Sequence, residues 1–144
     1  MKKDANPGKV IAELSFQFLV WVTQKVEKFP RTHKFTIGDR IQGLVIDIQQ
    51  GLVEATYTRD RAALLRQAQL QLEKLRFLFR LAAEIRLINA DSYQHAARQI
   101  DEIGRMTGGW QKAHHAQAPQ RPLSADRLLR GSETGSPESD PRQA

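Results

Sequence analysis

Apolar residues recur every three or four positions along most of the first 112 residues, the spacing that places them on one side of a helix. Three interruptions divide this pattern into four predicted helices, at about 9–28, 37–57, 60–88 and 90–112. No stretch alternates apolar and polar residues as a strand does. Because the predicted connections are short, the sequence predicts an all-α fold, an antiparallel up-down-up-down four-helix bundle.

The first interruption is a basic corner at residues 29–40. Pro30 lacks a backbone N–H and restrains the residue before it, so the first helix is predicted to end near Lys28. Thr36 and Asp39 have the spacing of a capping box, which predicts the start of the second helix. Arg31, His33 and Lys34 lie between the two helices. The other two interruptions offer Thr58 and Asn89 as caps of the third and fourth helices.

The third predicted helix carries two apolar stripes. The first has the 3-4 alternation of coiled-coil packing and consists of Leu65, Ala68, Leu72, Leu75, Phe79 and Ala82. The second is confined to the C-terminal half and consists of Leu78, Leu81, Ile85 and Ile88. Two stripes predict two partners, the bundle and a second copy of the chain, although a short neighbouring helix would also cover the second stripe.

Gly43 and Gly51 lie two turns apart on the second predicted helix. Each costs about 1 kcal/mol of helix stability relative to alanine. We expect the close approach of a neighbouring helix to offset that cost.

Composition divides the chain into a short lead-in at residues 1–8, a bundle domain at 9–115 and a tail at 116–144. After His114 and His115 the chain is rich in Pro, Ser, Gly, Gln, Arg and acidic residues, so the tail is predicted to be disordered. The formal net charge is +6 and the sequence pI is about 10.0. Because basic and acidic residues balance in the tail, the excess positive charge belongs to the folded part and favours an anionic partner such as nucleic acid.

The sequence lacks the motifs that several kinds of chemistry require. There is no cysteine, which excludes disulfides, thiolate zinc sites and cysteine nucleophiles. The Glu-x-x-His pair that holds metals in four-helix bundles is missing at every histidine, and the signatures of phosphate loops and serine hydrolases are also missing. We therefore expect a protein without catalytic activity, metal or cofactor. No export signal and no apolar run of about 20 residues is present, so we expect a cytoplasmic location and no membrane partner.

Basic residues are concentrated on the third predicted helix and its N-terminal cap. On a helical wheel Arg59, Arg66, Arg76 and Arg80 fall within about 100° of one another, opposite much of the first apolar stripe. Arginine suits phosphate because its planar group donates two parallel hydrogen bonds. The alternative is a solvated face whose arginines pair with Glu73 and Glu84.

Four segments in order, at residues 29–40, 52–65, 75–82 and 103–110, resemble the accessory variability determinant (Avd) proteins of diversity-generating retroelements. The resemblance covers about residues 9–113. Avd proteins belong to a wider set of four-helix-bundle proteins that includes those encoded in intervening sequences of large-subunit ribosomal RNA genes.

The resemblance implies a basic homopentameric barrel that binds the reverse transcriptase of the retroelement and its template RNA or cDNA, and that supports mutagenic retrohoming without being the polymerase. Carried over by position, it makes six residues candidates for phosphate or polymerase contact. They are Arg31, His33, Lys34, Arg76, Arg80 and Arg105. Two alternatives stay open: a bundle of the ribosomal-intervening-sequence type, and a protein–protein adaptor without a retroelement.

Overall fold

Four long helices make up the part of the chain that the computed structural model describes, residues 6–117, and this part contains no strand. They are α1 (Pro7–Glu27), α2 (Asp39–Thr56), α3 (Ala62–Glu84) and α4 (Ala90–Gln117). Each helix packs on the next one along the chain and α1 also packs on α4, so the four enclose one core. The all-helical prediction is confirmed. Most of the predicted lead-in and nearly all of the predicted tail lie outside the described residues.

Helix α1 begins two residues earlier than predicted. Pro7 occupies the first turn, where a backbone N–H would have no carbonyl partner within the helix, so the proline costs no hydrogen bond. The side chain of Asn6 accepts a hydrogen bond from the N–H of Gly8 at 2.8 Å. The helix ends at Glu27 with Lys28 as its cap, as the position of Pro30 predicts.

The corner after α1 remains helical, which the sequence does not predict. One turn of α-helix at Arg31–His33 runs into a π-helical turn at Lys34–Gly38 and then directly into α2. The predicted capping box is therefore wrong. The Thr36 hydroxyl bonds back to the carbonyl oxygens of Thr32 and His33, and no side chain caps α2. A cap is unnecessary because the preceding turn supplies carbonyl partners for the first N–H groups of α2.

Of the two caps predicted in the later connections, one is wrong and one is confirmed. Thr58 does not cap α3, because its hydroxyl donates to the carbonyl of Glu54 at 2.6 Å, and α3 begins only at Ala62. Asn89 caps α4 by accepting the N–H of Ser92 at 2.8 Å.

Helix α3 ends at Glu84 instead of Ile88. Arg86 adopts a left-handed backbone with a φ of 64°, and the turn there returns Ile88 to the core. The predicted second stripe is therefore interrupted at its C-terminal end.

The first apolar stripe of α3 forms the centre of the core, and all six of its residues are buried. Phe79 lies at its C-terminal half, where its ring centroid is 6.1 Å from that of Phe18 and 6.4 Å from that of Trp21. The Trp21 ring also lies 4.5 Å from the His95 ring of α4. This aromatic cluster joins α1, α3 and α4.

The expected close approach at Gly43 and Gly51 is wrong, because a Cβ atom at either position would have no neighbour within 4 Å among residues 6–117. Close approach occurs instead at Gly8, where a Cβ would collide with the Thr56 hydroxyl and lie 2.7 Å from the Trp110 ring. Gly8 therefore allows the start of α1 to pack against the end of α2.

Two threonines give a matched test of buried hydroxyl groups. The Thr107 hydroxyl is buried without a hydrogen-bond partner among the residues that the structure describes, whereas the Thr23 hydroxyl donates to the Leu19 carbonyl and accepts from Gln42 at 2.9 Å. A buried hydroxyl without a partner costs free energy, so Thr107→Val should leave the free energy of unfolding unchanged or raise it by about 1 kcal/mol. Thr23→Val should lower it by about 1 kcal/mol, because Gln42 loses its acceptor. Urea unfolding of both variants tests this, and a clear loss in Thr107→Val would contradict it.

Candidate nucleic-acid interface

The corner between α1 and α2 brings together three of the predicted contact residues. Arg31 is exposed, and His33 and Lys34 are half-buried. The Lys34 ammonium lies 6.0 Å from the centroid of the Phe35 ring, which is itself exposed. An exposed aromatic ring beside basic groups offers both stacking and charge to a single-stranded nucleic acid.

Two further basic residues flank the corner, and the sequence reasoning did not select them. Lys28 caps α1 and Arg40 lies in the first turn of α2, and both are exposed. Their closeness to Lys34 in the sequence could have identified them, since each lies six residues from it.

The predicted basic stripe of α3 is shorter than expected. Arg66 and Arg80 are exposed on α3, and neither forms an ion pair with another described residue. Arg59 is exposed in the connection before α3, so it does not belong to the helical stripe. Arg80 lines a recess of about 410 Å³ with Tyr93 at the junction of α3 and α4.

Arg76 and Arg105 are engaged by carboxylates. Arg76 donates to Asp101 of α4 at 2.8 Å and lies 3.5 Å from Glu73. Its partial burial lowers the pKa, but the hydrogen bond and the charge of Asp101, with a further contribution from Glu73, outweigh burial and raise the pKa above its ordinary value. Arg105 donates to both carboxylate oxygens of Glu102 at 2.6 Å. Much of the charge of these two arginines is therefore compensated within the protein.

The described residues offer neither a metal centre nor a membrane-spanning segment. Between residues 6 and 117, no three His, Asp or Glu side chains are grouped so that they could hold a metal ion. None of the helices in this range is both long and apolar enough to cross a membrane.

A family model described as bAvd-like matches residues 9–114, which is most of the chain and nearly the whole span of the four helices. The chain belongs to the bAvd-like family. The resemblance to Avd proteins that the corner and α3 suggested is thus confirmed. Neither a curated protein nor a solved structure gives a significant match to this bAvd-like protein.

Proposed function

We propose that this bAvd-like protein is the accessory subunit of a diversity-generating retroelement. It binds the reverse transcriptase and the template RNA or cDNA through its basic surface, and it supports mutagenic retrohoming without catalysing a reaction. The observation that carries the proposal is the family match over residues 9–114, which includes the exposed basic corner. We also propose that it acts in the cytoplasm.

The proposed architecture is an antiparallel up-down-up-down bundle. Contacts between α1 and α2 support it, since Gly8 lies against Thr56 while Thr23 bonds to Gln42. Contacts between α3 and α4 follow the same order, with Gln69 bonded to Gln111 and Arg76 to Asp101. In this arrangement the corner and the connection at 85–89 share one end of the bundle. Arg86, exposed in that connection, adds a further positive charge there.

The proposed assembly is a homopentameric barrel, a number that comes from the family resemblance. Repeating the basic corner around a ring would place several copies of Arg31 and Lys34 at the same end, and their summed field would attract a polyanion more strongly than one copy does. Binding of this kind reads phosphate and therefore has little base preference. By binding the template, the accessory protein would raise the effective concentration of template at the reverse transcriptase. The reverse transcriptase would still catalyse the copying.

Light scattering of the protein alone, with the neighbouring reverse transcriptase, and with template RNA tests the proposal. We expect an oligomer that shifts to a larger mass with each partner, and an affinity for RNA that falls steeply as salt is raised. Indifference to both partners at about 0.05 M salt, where phosphate contacts are strong, would overturn the accessory role and favour a protein–protein adaptor.

A further inference from the structure

The π-helical turn of the corner holds an aromatic ring at the surface. Phe35 is 61% exposed, while Gly38 of the same turn is buried, and a Cβ atom there would lie 2.9 Å from Val26. Residues three apart share one side of a regular α-helix, so an α-helical corner would bring Phe35 towards the buried side of Gly38. The wider π turn separates the two positions, and such turns are frequent at functional sites. The fold therefore presents the Phe35 ring to solvent without using it in the core.

A recess lies beside this ring. It measures about 500 Å³ and is lined by Phe35, Thr36, Ile37, Asp39, Arg40 and Leu78. The volume is in the range of pockets that hold small ligands, so the recess has room for one nucleobase. Apolar side chains next to a few hydrogen-bonding groups suit a planar base, which has apolar faces and polar edges.

Charge divides the corner into a place for phosphate and a place for a base. Arg31 and Lys34 supply positive charge, and the Lys34 ammonium lies 6.0 Å from the centroid of the Phe35 ring. Asp39 adds negative charge to the recess, which disfavours a phosphate there. The amino groups of bases can instead donate hydrogen bonds to a carboxylate. A phosphate bound at Lys34 would thus leave its base beside the ring.

We propose that Phe35 stacks on one unpaired base of the bound strand, with the base in the recess and the flanking phosphates on Arg31 and Lys34. The inference rests on the nucleic-acid part of the proposed function and deepens it, because it makes an unpaired nucleotide the ligand of the corner. Stacking accepts any base, since every base has a π face, and it therefore adds affinity without base preference. A base in a duplex is already stacked and paired, and its extrusion costs free energy.

Copying of the template changes the ligand that the corner meets. Reverse transcription pairs the template with new DNA, and a paired base reaches the ring only by leaving the duplex. The contact with Phe35 is therefore made by uncopied template and lost in the RNA–DNA hybrid, whereas the phosphate contacts are possible with both. In this way the ring favours the uncopied part of the template over the copied part.

An apolar side chain of a partner protein is the main alternative occupant of the ring. The charge of the corner favours the nucleic acid, because basic residues exceed acidic ones and a polyanion gains from that excess. Between residues 27 and 40 the basic residues are Lys28, Arg31, Lys34 and Arg40, and the acidic ones are Glu27 and Asp39.

Two substitutions of Phe35 separate stacking from apolar contact in the full chain. Phe35→Leu keeps an apolar side chain but removes the ring, whereas Phe35→Trp keeps a ring. In fluorescence anisotropy with labelled single-stranded RNA, Phe35→Leu is expected to lose about tenfold in affinity, and Phe35→Trp is expected to stay within about twofold of wild type. Both variants should bind the same RNA annealed to complementary DNA within about twofold of wild type, because the hybrid does not use the ring.

Two further readouts report on stacking itself. The slope of log affinity against log salt should be unchanged in Phe35→Leu, since no phosphate contact is lost. In Phe35→Trp, single-stranded RNA is expected to quench tryptophan emission more than it does in wild type, whose own tryptophans are the half-buried Trp21 and the buried Trp110.

Phe16→Leu is the matched control, because Phe16 is also exposed but lies on α1, outside the corner. It should leave the affinity for RNA unchanged. Circular dichroism and light scattering without RNA compare the helix content and the mass of each variant with those of wild type. An unchanged affinity of Phe35→Leu for single-stranded RNA, an equal loss for single strand and hybrid, or an altered mass would each overturn the inference.

The same experiment distinguishes this inference from the proposed function. Wild-type protein that binds no RNA would overturn both. Wild-type protein that binds RNA no better than Phe35→Leu does would overturn the stacking contact alone and leave the accessory role intact.

Discussion

Replacing Arg31 and Lys34 with glutamate is expected to weaken binding of single-stranded RNA about 100-fold at about 0.15 M salt. Both residues lie in the corner, Arg31 exposed and Lys34 partly so, and neither pairs with a carboxylate of another described residue. A hydrogen bond to a charged group contributes about 1.5 kcal/mol or more, and each 1.4 kcal/mol is a factor of about ten in affinity. Loss of two phosphate contacts therefore accounts for a factor of about 100.

Salt dependence gives the same variant a second readout. Each lost phosphate contact on a single strand lowers the magnitude of the slope of log affinity against log salt by about 0.7, so the slope should fall by about 1.4 for each copy engaged. Fluorescence anisotropy with a labelled template RNA at several salt concentrations measures both quantities.

A matched control carries the same change of charge elsewhere. Arg98 and Lys112 are exposed on α4, which is not part of the corner, and Arg98→Glu with Lys112→Glu changes the net charge by the same amount. This control should lose much less affinity than the corner variant. Equal losses in the two variants would show that RNA responds only to net charge, and the corner would then have no special role.

The buried stripe of α3 could be predicted from sequence because it depends on local periodicity alone. Its six residues follow one helical spacing, and burial of that face is the main source of stability in a bundle. The Asn89 cap could be predicted for the same reason, since its hydrogen bond to Ser92 spans three residues.

Features that depend on the packing of distant segments could not be predicted. From the helical spacing of α3 alone, Arg76 is expected to be free to bind phosphate. In the structure it is hydrogen-bonded to Asp101, 25 residues later, because α3 packs on α4. The helical corner depends on a π-helical turn, which has no local signal in the sequence.

The exposed apolar residues of α3 differ from the predicted second stripe for a related reason. The spacing predicts a stripe from Leu78 to Ile88, but the helix ends at Glu84 and Ile88 is buried by the turn at Arg86. The large apolar residues that α3 leaves exposed begin earlier, at Leu70, and include Phe77 and Leu81. Only the packed structure shows which of two overlapping apolar spacings is covered.

Two phenylalanines of α3, two positions apart, are expected to differ widely in how much stability the chain loses when each is replaced by alanine. Phe79 is buried against Phe18 and Trp21, whereas Phe77 is 64% exposed on the other side of the helix. Removal of a buried phenylalanine ring costs about 3–5 kcal/mol through lost burial and the cavity left behind. Since domains of this size are stable by about 5–15 kcal/mol, Phe79→Ala should lower the urea midpoint strongly or leave the chain partly unfolded.

Phe77→Ala should change the free energy of unfolding of the folded monomer by less than about 0.5 kcal/mol, as exposed substitutions do. Urea unfolding of Phe77→Ala and Phe79→Ala beside the wild-type chain measures both changes. Similar losses for Phe77→Ala and Phe79→Ala would contradict the division of α3 into a buried side that stabilises the bundle and an exposed side that contributes little to its stability.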